Sequence, residues 1–580
     1  MNRAVRRRAL GVALLLAAGA WRVAVADAGA GLQPAAAAAA VAQPVAVRHQ
    51  AAVASAHPEA TAAGLAVLRA GGNAFDAAVA VAAALGVVDP SGSGLSGGGF
   101  FLLHRASDGL DTLIDARERA PAAASRDMFL DAQGKPVPRL STDSALAAAI
   151  PGEAAGMALL ASRYGRLPVA QSLEPAIRLA RQGFALTPRL RQGLMFAHDK
   201  FAATPDIARN FLRRGEVPPL GTIIRQPELA ATLESLAKNG LESFYRGELA
   251  QRLVDGVRAQ GGIWSLQDLA AYRAVERQPV VGEYRGARIV SAPPPSSGGV
   301  GLIEGLNVLS NFDLASASPL TRKHLIVEAE RRLHRDRAIY LGDPDFISVP
   351  VPRLTSRDYA AGLAASIHTQ RALPSGNLPG IGAGAPQGPQ TTHFSIIDAD
   401  GNRVAATLTL NFGFGSGRMI RGTGLFLNDE MDDFSIKPGV PNGYGLVGAE
   451  PNAIEPFKRP LSSMTPTFVE TADRIMVVGS PGGSYIIGMV LVATLDFMAG
   501  RSARDIVSAP RIHHQYLPDV VQAEPGALSE AERAGLQAYG DTIDESGRRW
   551  GNLQVVILDR ASGTIDAAAD PRGDGTAQVQ

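Results

Sequence analysis

Residues 390–411 read QTTHFSIIDADGNRVAATLTLN, and the fold turns on how this stretch is interpreted. Upstream, residues 374–390 (PSGNLPGIGAGAPQGPQ) are too rich in Pro and Gly for a helix or a central strand. Downstream lie two apolar, β-branched runs joined by Asp400-Gly401-Asn402, which predicts a hairpin. The pair Thr391-Thr392 therefore stands where a loose loop enters a strand. Such a hydroxyl is either an ordinary strand-start threonine or a nucleophile. In the second reading the chain is cut between Gln390 and Thr391. One residue would then carry both a hydroxyl and a free α-amine, the arrangement of an N-terminal threonine nucleophile.

Working outward, residues 55–88 predict two Ala-rich helices, with Gly71-Gly72 ending the first and Asn73 capping the second. Gly94–Leu103 is a glycine turn feeding a strand, and Asp111–Ala116 a second strand. Residues 150–280 are mostly amphipathic helical segments, and 320–342 form another. Strands return at 474–480 and 552–559, and a long apolar helix follows Pro481-Gly482-Gly483-Ser484. Mixed strands and covering helices predict stacked sheets between helix layers.

At the N-terminus, Arg3, Arg6, Arg7 and Arg8 precede an apolar run, Ala9–Ala20, and a small-x-small signal, Ala24-Val25-Ala26. This predicts a signal peptide over 1–26, because the apolar run is short of the roughly 20 residues that span a bilayer. A loose leader over 27–45 follows. Removing residues 1–26 deletes five arginines and no acid, taking the formal charge from +1 to −4. That balance implies no nucleic-acid partner. The chain has no cysteine, which excludes disulfides, thiolate metal sites and a Cys nucleophile. With 580 residues, it is long enough to rely on packing alone.

Several motifs admit two readings. Gly94-Leu95-Ser96-Gly97-Gly98 matches G-x-S-x-G, but a strand follows where a nucleophile elbow needs a helix, so it reads as a structural turn. Gly479–Ser484 (GSPGGS) lies between strand and helix and is either a plain turn or an oxyanion hole. Asn428–Asp433 (NDEMDD) is a solvated turn or a carboxylate cluster at a strand end. Arg117 is a surface ion-pair partner or a carboxylate fork. His513-His514 reads as structural.

Together the segments DARERAP (115–121), YRAVERQPV (272–280), PPPSSGG (293–299), YLGDPDF (340–346), TTHFSIIDADGN (391–402), NDEMDDFS (428–435), KRPLSSMTPT (458–467), GSPGGS (479–484) and APRIHHQYLPD (509–519) resemble the γ-glutamyltransferase (γ-glutamyltranspeptidase) family of N-terminal-nucleophile hydrolases. The resemblance runs from about Val45 to Arg572. It implies an α+β fold, an αββα sandwich of two mainly antiparallel sheets. It also implies a precursor that cuts itself into a large subunit (27–390, ending in a flexible tail over 371–390) and a small one (391–580), which stay together as a heterodimer. By position it makes Thr391 the nucleophile, Thr409 its support, and Gly482 and Gly483 the oxyanion-hole glycines. Arg117, Ser462 and Ser463 match residues that hold the donor's α-carboxylate; Asn411, Glu430 and Asp433 match those around its α-amino group. Pro438–Gly445 resembles the lid loop of bacterial members, with Tyr444 as its gate. Two departures are Ser96 within the glycine run and Phe412-Gly413 in place of a more polar pair.

The chemistry agrees with that resemblance. A γ-glutamyl donor offers one carboxylate and one ammonium at a fixed distance from the scissile amide. An α-amine with a pKa near 7.7–8 serves as base at neutral pH without a histidine. No metal or organic cofactor is required. The expected activity is that of an exported γ-glutamyltransferase and glutathione hydrolase, periplasmic or secreted. It would use glutathione-like donors with water, amino acids or peptides as acceptors. The alternatives are a glutaryl-cephalosporin acylase or polyglutamate-cutting relative, and a non-catalytic γ-glutamyl-binding protein.

Overall fold

The Asp400-Gly401-Asn402 turn closes a hairpin between the strands Thr392–Ile397 and Arg403–Thr409. Gly401 takes the left-handed backbone conformation, at φ 88°, that a tight turn asks of it. Asp398 accepts hydrogen bonds from the backbone N–H of Asp400 (3.0 Å) and Asn402 (2.9 Å). Its other oxygen accepts from the backbone of Ala74 at 2.8 Å, tying the turn to the start of a helix. That helix, Ala74–Val88, is capped by Asn73, whose side chain accepts from the N–H groups of Phe75 and Asp76. Asp76 returns a bond to the Asn73 backbone, completing a capping box. The run of alanines lets this helix, apolar beyond Asp76, lie close against the sheet.

The computed structural model describes residues 50–202, 204–378 and 391–580. The hairpin is the centre of a seven-stranded sheet. Its order is Thr576–Val579, Ala52–Ser55, Thr392–Ile397, Arg403–Thr409, Gly98–Arg105, Leu110–Ala116 and Val275–Arg277, all antiparallel. A six-stranded antiparallel sheet stacks on it. Its order is Ile565–Ala569, Gln554–Asp559, Arg474–Gly479, Thr467–Glu470, Ala287–Ser291 and Val280–Tyr284.

Alternation along the strands sorts the two cores. Phe101, Leu103, Phe394, Ile396 and Leu408 pack with the helices Pro58–Arg69, Ala74–Val88 and Glu153–Tyr164. Phe100, Leu102 and Ala405 face the second sheet, whose far side is covered by Gly298–Leu309, Pro319–Tyr340 and Ile486–Met498. The chain is therefore an αββα sandwich of the α+β class.

Two local expectations are revised. The 320–342 segment forms the helix Pro319–Tyr340, but it is not simply one-faced. From His324 to Ala338 nearly every residue is buried, including Glu328, Glu330, Arg331, Arg332 and His334. Its arginines are accommodated by pairing, as in the Arg332–Glu328 bridge at 2.6 Å, while burial favours the neutral forms of Glu330 and His334. The tail expected to be loose from residue 371 is anchored at Ser375. There the backbone N–H (2.7 Å) and hydroxyl (2.8 Å) both donate to Asp519. Residues 379–390, with Gln390, lie outside the described residues, as do the expected signal peptide and leader over 1–45.

Candidate active site

Strand alternation decides which threonine of the pair faces the second sheet. His393 packs against Gly479, where a side chain would meet its ring at 2.3 Å, and Ser395 donates to the Gln554 carbonyl at 3.0 Å. Thr391 lies on that same side, while Thr392 shares the helix-facing side with Phe394 and Ile396. The Thr391 hydroxyl is buried and sits 3.3 Å from the Thr409 hydroxyl, near the end of the neighbouring strand.

Past Thr409 the chain turns sharply. Asn411 adopts φ +76°, a left-handed conformation that Asn tolerates better than most residues. The turn aims its N–H at Thr409 Oγ1 (2.8 Å) and its side chain at the Asp429 carbonyl (2.9 Å). The Asn411 carbonyl accepts a hydrogen bond from the Tyr444 hydroxyl at 2.8 Å. Tyr444 is buried, although the Pro438–Gly443 loop that carries it is partly exposed. Phe412 stacks on Tyr444, with ring centroids 4.4 Å apart and planes at 22°. The loop is also held by Asp432, which accepts from the Gly443 N–H (2.8 Å) and the Ser141 hydroxyl (2.7 Å). Burial pushes the Asp432 carboxyl up to about 7.

Opposite lies a buried charge cluster. Arg117 donates to Glu430, to Asp433 at 2.5 Å and to the Pro460 carbonyl at 3.1 Å, with Glu118 3.6 Å away. Burial opposes the Arg117 charge, but Glu430, Asp433 and Glu118 outweigh it and hold the guanidinium firmly protonated. Burial drives Glu430 well above the usual carboxylate range, against the pull of Arg117. Glu118 is pushed up to about 8, again chiefly by burial. Asn428–Asp433 is thus no solvated turn, and Arg117 no surface residue.

Ser462 and Ser463 lie on an adjacent loop, and Ser463 accepts from Arg337 at 3.0 Å. The floor is the GSPGGS turn, where Gly482 (φ +146°) and Gly483 (φ +56°) adopt conformations that favour glycine. The turn leads through Gly483–Tyr485 into the helix Ile486–Met498. A Cβ on Gly483 would lie 2.6 Å from the Tyr444 ring. Arg117, Thr391, Thr409, Asn411, Glu430, Asp433, Tyr444, Ser462, Ser463 and Gly483 all line one pocket. Gly482 adjoins it through Gly483. The pocket brings a hydroxyl pair, a guanidinium, two carboxylates and a glycine turn together.

The structure rejects a nucleophilic Ser96. Its hydroxyl donates to the Phe426 carbonyl, and the strand Gly98–Arg105 follows it. His513 and His514 are buried beside the helix Pro319–Tyr340 rather than in the pocket. Sequence reasoning missed Glu118, Arg337 and the Phe412–Tyr444 stack.

Comparison with known proteins agrees with this geometry. The sequence model of the Gamma-glutamyltranspeptidase family matches residues 60–580. The chain is 42% identical over 530 residues to the glutathione hydrolase proenzyme of Escherichia coli K12, covering 90% of each chain. It is 40% identical over 526 residues to that of Pseudomonas aeruginosa, covering 88% of this chain and 91% of the other. Its structure resembles a cephalosporin acylase from Bacillus halodurans, with TM-score 0.80 and 28% identity over 95% of this chain and 99% of the other. It also resembles the Helicobacter pylori gamma-glutamyltranspeptidase, with TM-score 0.54 and 40% identity over 56% of this chain and 93% of the other. With the match spanning both sheets and every wall of the pocket, this chain belongs to the γ-glutamyltranspeptidase family.

Proposed function

We propose that the Gln390–Thr391 bond is cut in the folded precursor and that the resulting Thr391 terminus works as a γ-glutamyltransferase and glutathione hydrolase. The observation that carries this reading is one pocket holding the Thr391 hydroxyl, a guanidinium and two carboxylates at its far wall. Arg117 pairs with Glu430 and Asp433. A donor's α-carboxylate would take the guanidinium, helped by Ser462 and Ser463. Its ammonium would take the released acids and the Asn411 side. The ion pairs are exchanged rather than lost, so the buried charges stay compensated.

The γ-carbonyl would then face Thr391. The free α-amine accepts the hydroxyl proton as Oγ1 attacks, and Thr409 holds the hydroxyl in line. The oxyanion is stabilised at Gly482 and Gly483, and collapse expels the amine with the transferred proton. Water, or the amine of an amino acid or peptide, attacks the γ-glutamyl ester and regenerates Thr391. Tyr444 closes over the acyl group. The cut chain remains a heterodimer of 27–390 and 391–580. The arginine-led apolar N-terminus supports export to the periplasm or medium. Among the described residues no helix is long and apolar enough to cross a membrane.

Mass spectrometry of the purified protein tests maturation: two fragments, one beginning at Thr391, are expected, and a single uncut chain with no turnover would overturn the reading. Rates on γ-glutamyl and glutaryl anilides test the substrate. Because Glu430 and Asp433 remain to meet an ammonium, γ-glutamyl is expected to win; a glutaryl preference would move the chain to the acylase class.

A further inference from the structure

Behind the pocket, Gln515 reaches both the lid and the oxyanion turn. Its side-chain oxygen accepts from the Ser484 hydroxyl at 2.7 Å and faces His513 Nε2 at 3.3 Å. Its nitrogen donates to the backbone carbonyls of Tyr444 and Leu517, both at 3.3 Å. The orientation of the amide is not arbitrary. Two carbonyls can only accept, so the NH₂ must face them, and the oxygen must then face Ser484 and His513. Both acceptor sites and both N–H groups are used, and the residue is buried. His513 is held neutral by burial, its pKa lowered to about 3, so Nε2 carries its single proton toward Gln515.

The two ends of this amide touch the two parts of the site that must agree in position. Ser484 directly follows Gly483, and Tyr444 covers Gly483 closely enough to exclude a Cβ. The Tyr444 hydroxyl is separately tied to Asn411. Lifting the lid therefore breaks a bond to Gln515 at one end of the tyrosine and a bond to Asn411 at the other.

We propose that Gln515 is a positioning residue that couples lid closure to the geometry of the Gly482-Gly483 turn, acting through Ser484 on one side and the Tyr444 carbonyl on the other. It touches neither donor nor acceptor. It sets where the oxyanion donors stand when the lid is shut, so its loss falls on turnover rather than on donor binding. The inference rests on the proposed function.

The test is a double-mutant cycle on the mature enzyme with Gln515→Met, Ser484→Ala and the pair, using a γ-glutamyl anilide. Met keeps the length and volume of Gln and removes its hydrogen bonds. Gln515→Met is expected to lower kcat about tenfold and Ser484→Ala about fivefold, with KM changed less than twofold. The double variant should be no slower than about tenfold, because both changes cut one linkage. Multiplying effects of about fiftyfold, or a loss confined to KM or to the melting temperature, would overturn the coupling. If Gln515→Met fails to fold, Ser484→Ala alone decides: kcat within twofold of the parent overturns the proposal. The Thr391 ester is trapped in the parent in the same series. No ester in the parent overturns the proposed function itself; an ester with unaffected variants overturns this inference alone.

Discussion

Replacing Gly483 by Ala tests the floor of the pocket and its lid at once. At φ +56° an L side chain is strained by about 1–2 kcal/mol. The new methyl would stand 2.6 Å from Cε1 and 2.7 Å from Cδ1 of Tyr444, about 1 Å inside ordinary carbon contact. The ring cannot retreat freely, because its other face carries the Phe412 stack and its hydroxyl is bonded to Asn411. Either the lid lifts or the turn shifts, and both would displace the oxyanion donors proposed at Gly482 and Gly483. Removing one such donor costs about 10²–10³ in kcat, or about 2.7–4 kcal/mol. Gly483→Ala should therefore mature normally, lose about 1–2 kcal/mol of stability and lose at least about a hundredfold in kcat on a γ-glutamyl anilide. Calorimetric melting and steady-state rates on the mature protein measure the two losses separately. A kcat within threefold of the parent would refute both the donor role of Gly483 and the rigidity of the lid above it.

The Thr391→Ala chain should remain uncut and inactive, whereas Thr392→Ala should mature, because the Thr392 side chain faces the helix layer; a gel of the two variants checks this. Donor binding should leave the protonation of the cluster nearly unchanged, since the donor's ammonium replaces the Arg117 guanidinium beside Glu430 while the guanidinium turns to the donor's carboxylate. Calorimetry in buffers of different ionisation enthalpy would read any change, and uptake or release approaching one proton per site would contradict the exchange. Glu153 is buried, and burial raises it to about 8 against the opposing pull of the Gly94 backbone. Its contribution is full below about 4.5 and is lost as pH rises toward 8, by roughly 1.4 kcal/mol per unit at most. Glu153→Gln should flatten that decline in denaturation curves at pH 5 and 8. His393 has the opposite sign: burial lowers it to about 3, so stability should fall as pH drops from about 6.5 toward 3.

Local signals read well where they were strong. The hairpin and the Asn73 cap both follow from turn residues and strand period, and the structure has them. The ordering of the pocket was legible only through the family's motifs. Nothing in the spacing of Arg117, Glu430 and Ser462 says that they meet, because strands far apart in sequence bring them together. Burial of charge was the weakest reading. Arg117 and the helix Pro319–Tyr340 look like surface material by composition, and they are buried because their partners come from remote segments. The Phe412 departure was visible in the sequence, but its stacking partner was not.

The order of the seven-stranded sheet has a consequence for what a cut before Thr391 can produce. Strands from after that point, Thr392–Ile397 and Arg403–Thr409, lie between strands from before it, Ala52–Ser55 and Gly98–Arg105. The last strand, Thr576–Val579, then closes on the far side of Ala52–Ser55. The two fragments are interleaved, and neither has a complete sheet of its own. They share one interior rather than meeting at a surface, so dilution should not part them and fragments from different molecules should not exchange. Only unfolding separates them, and each fragment leaves with half a ladder of unpaired backbone.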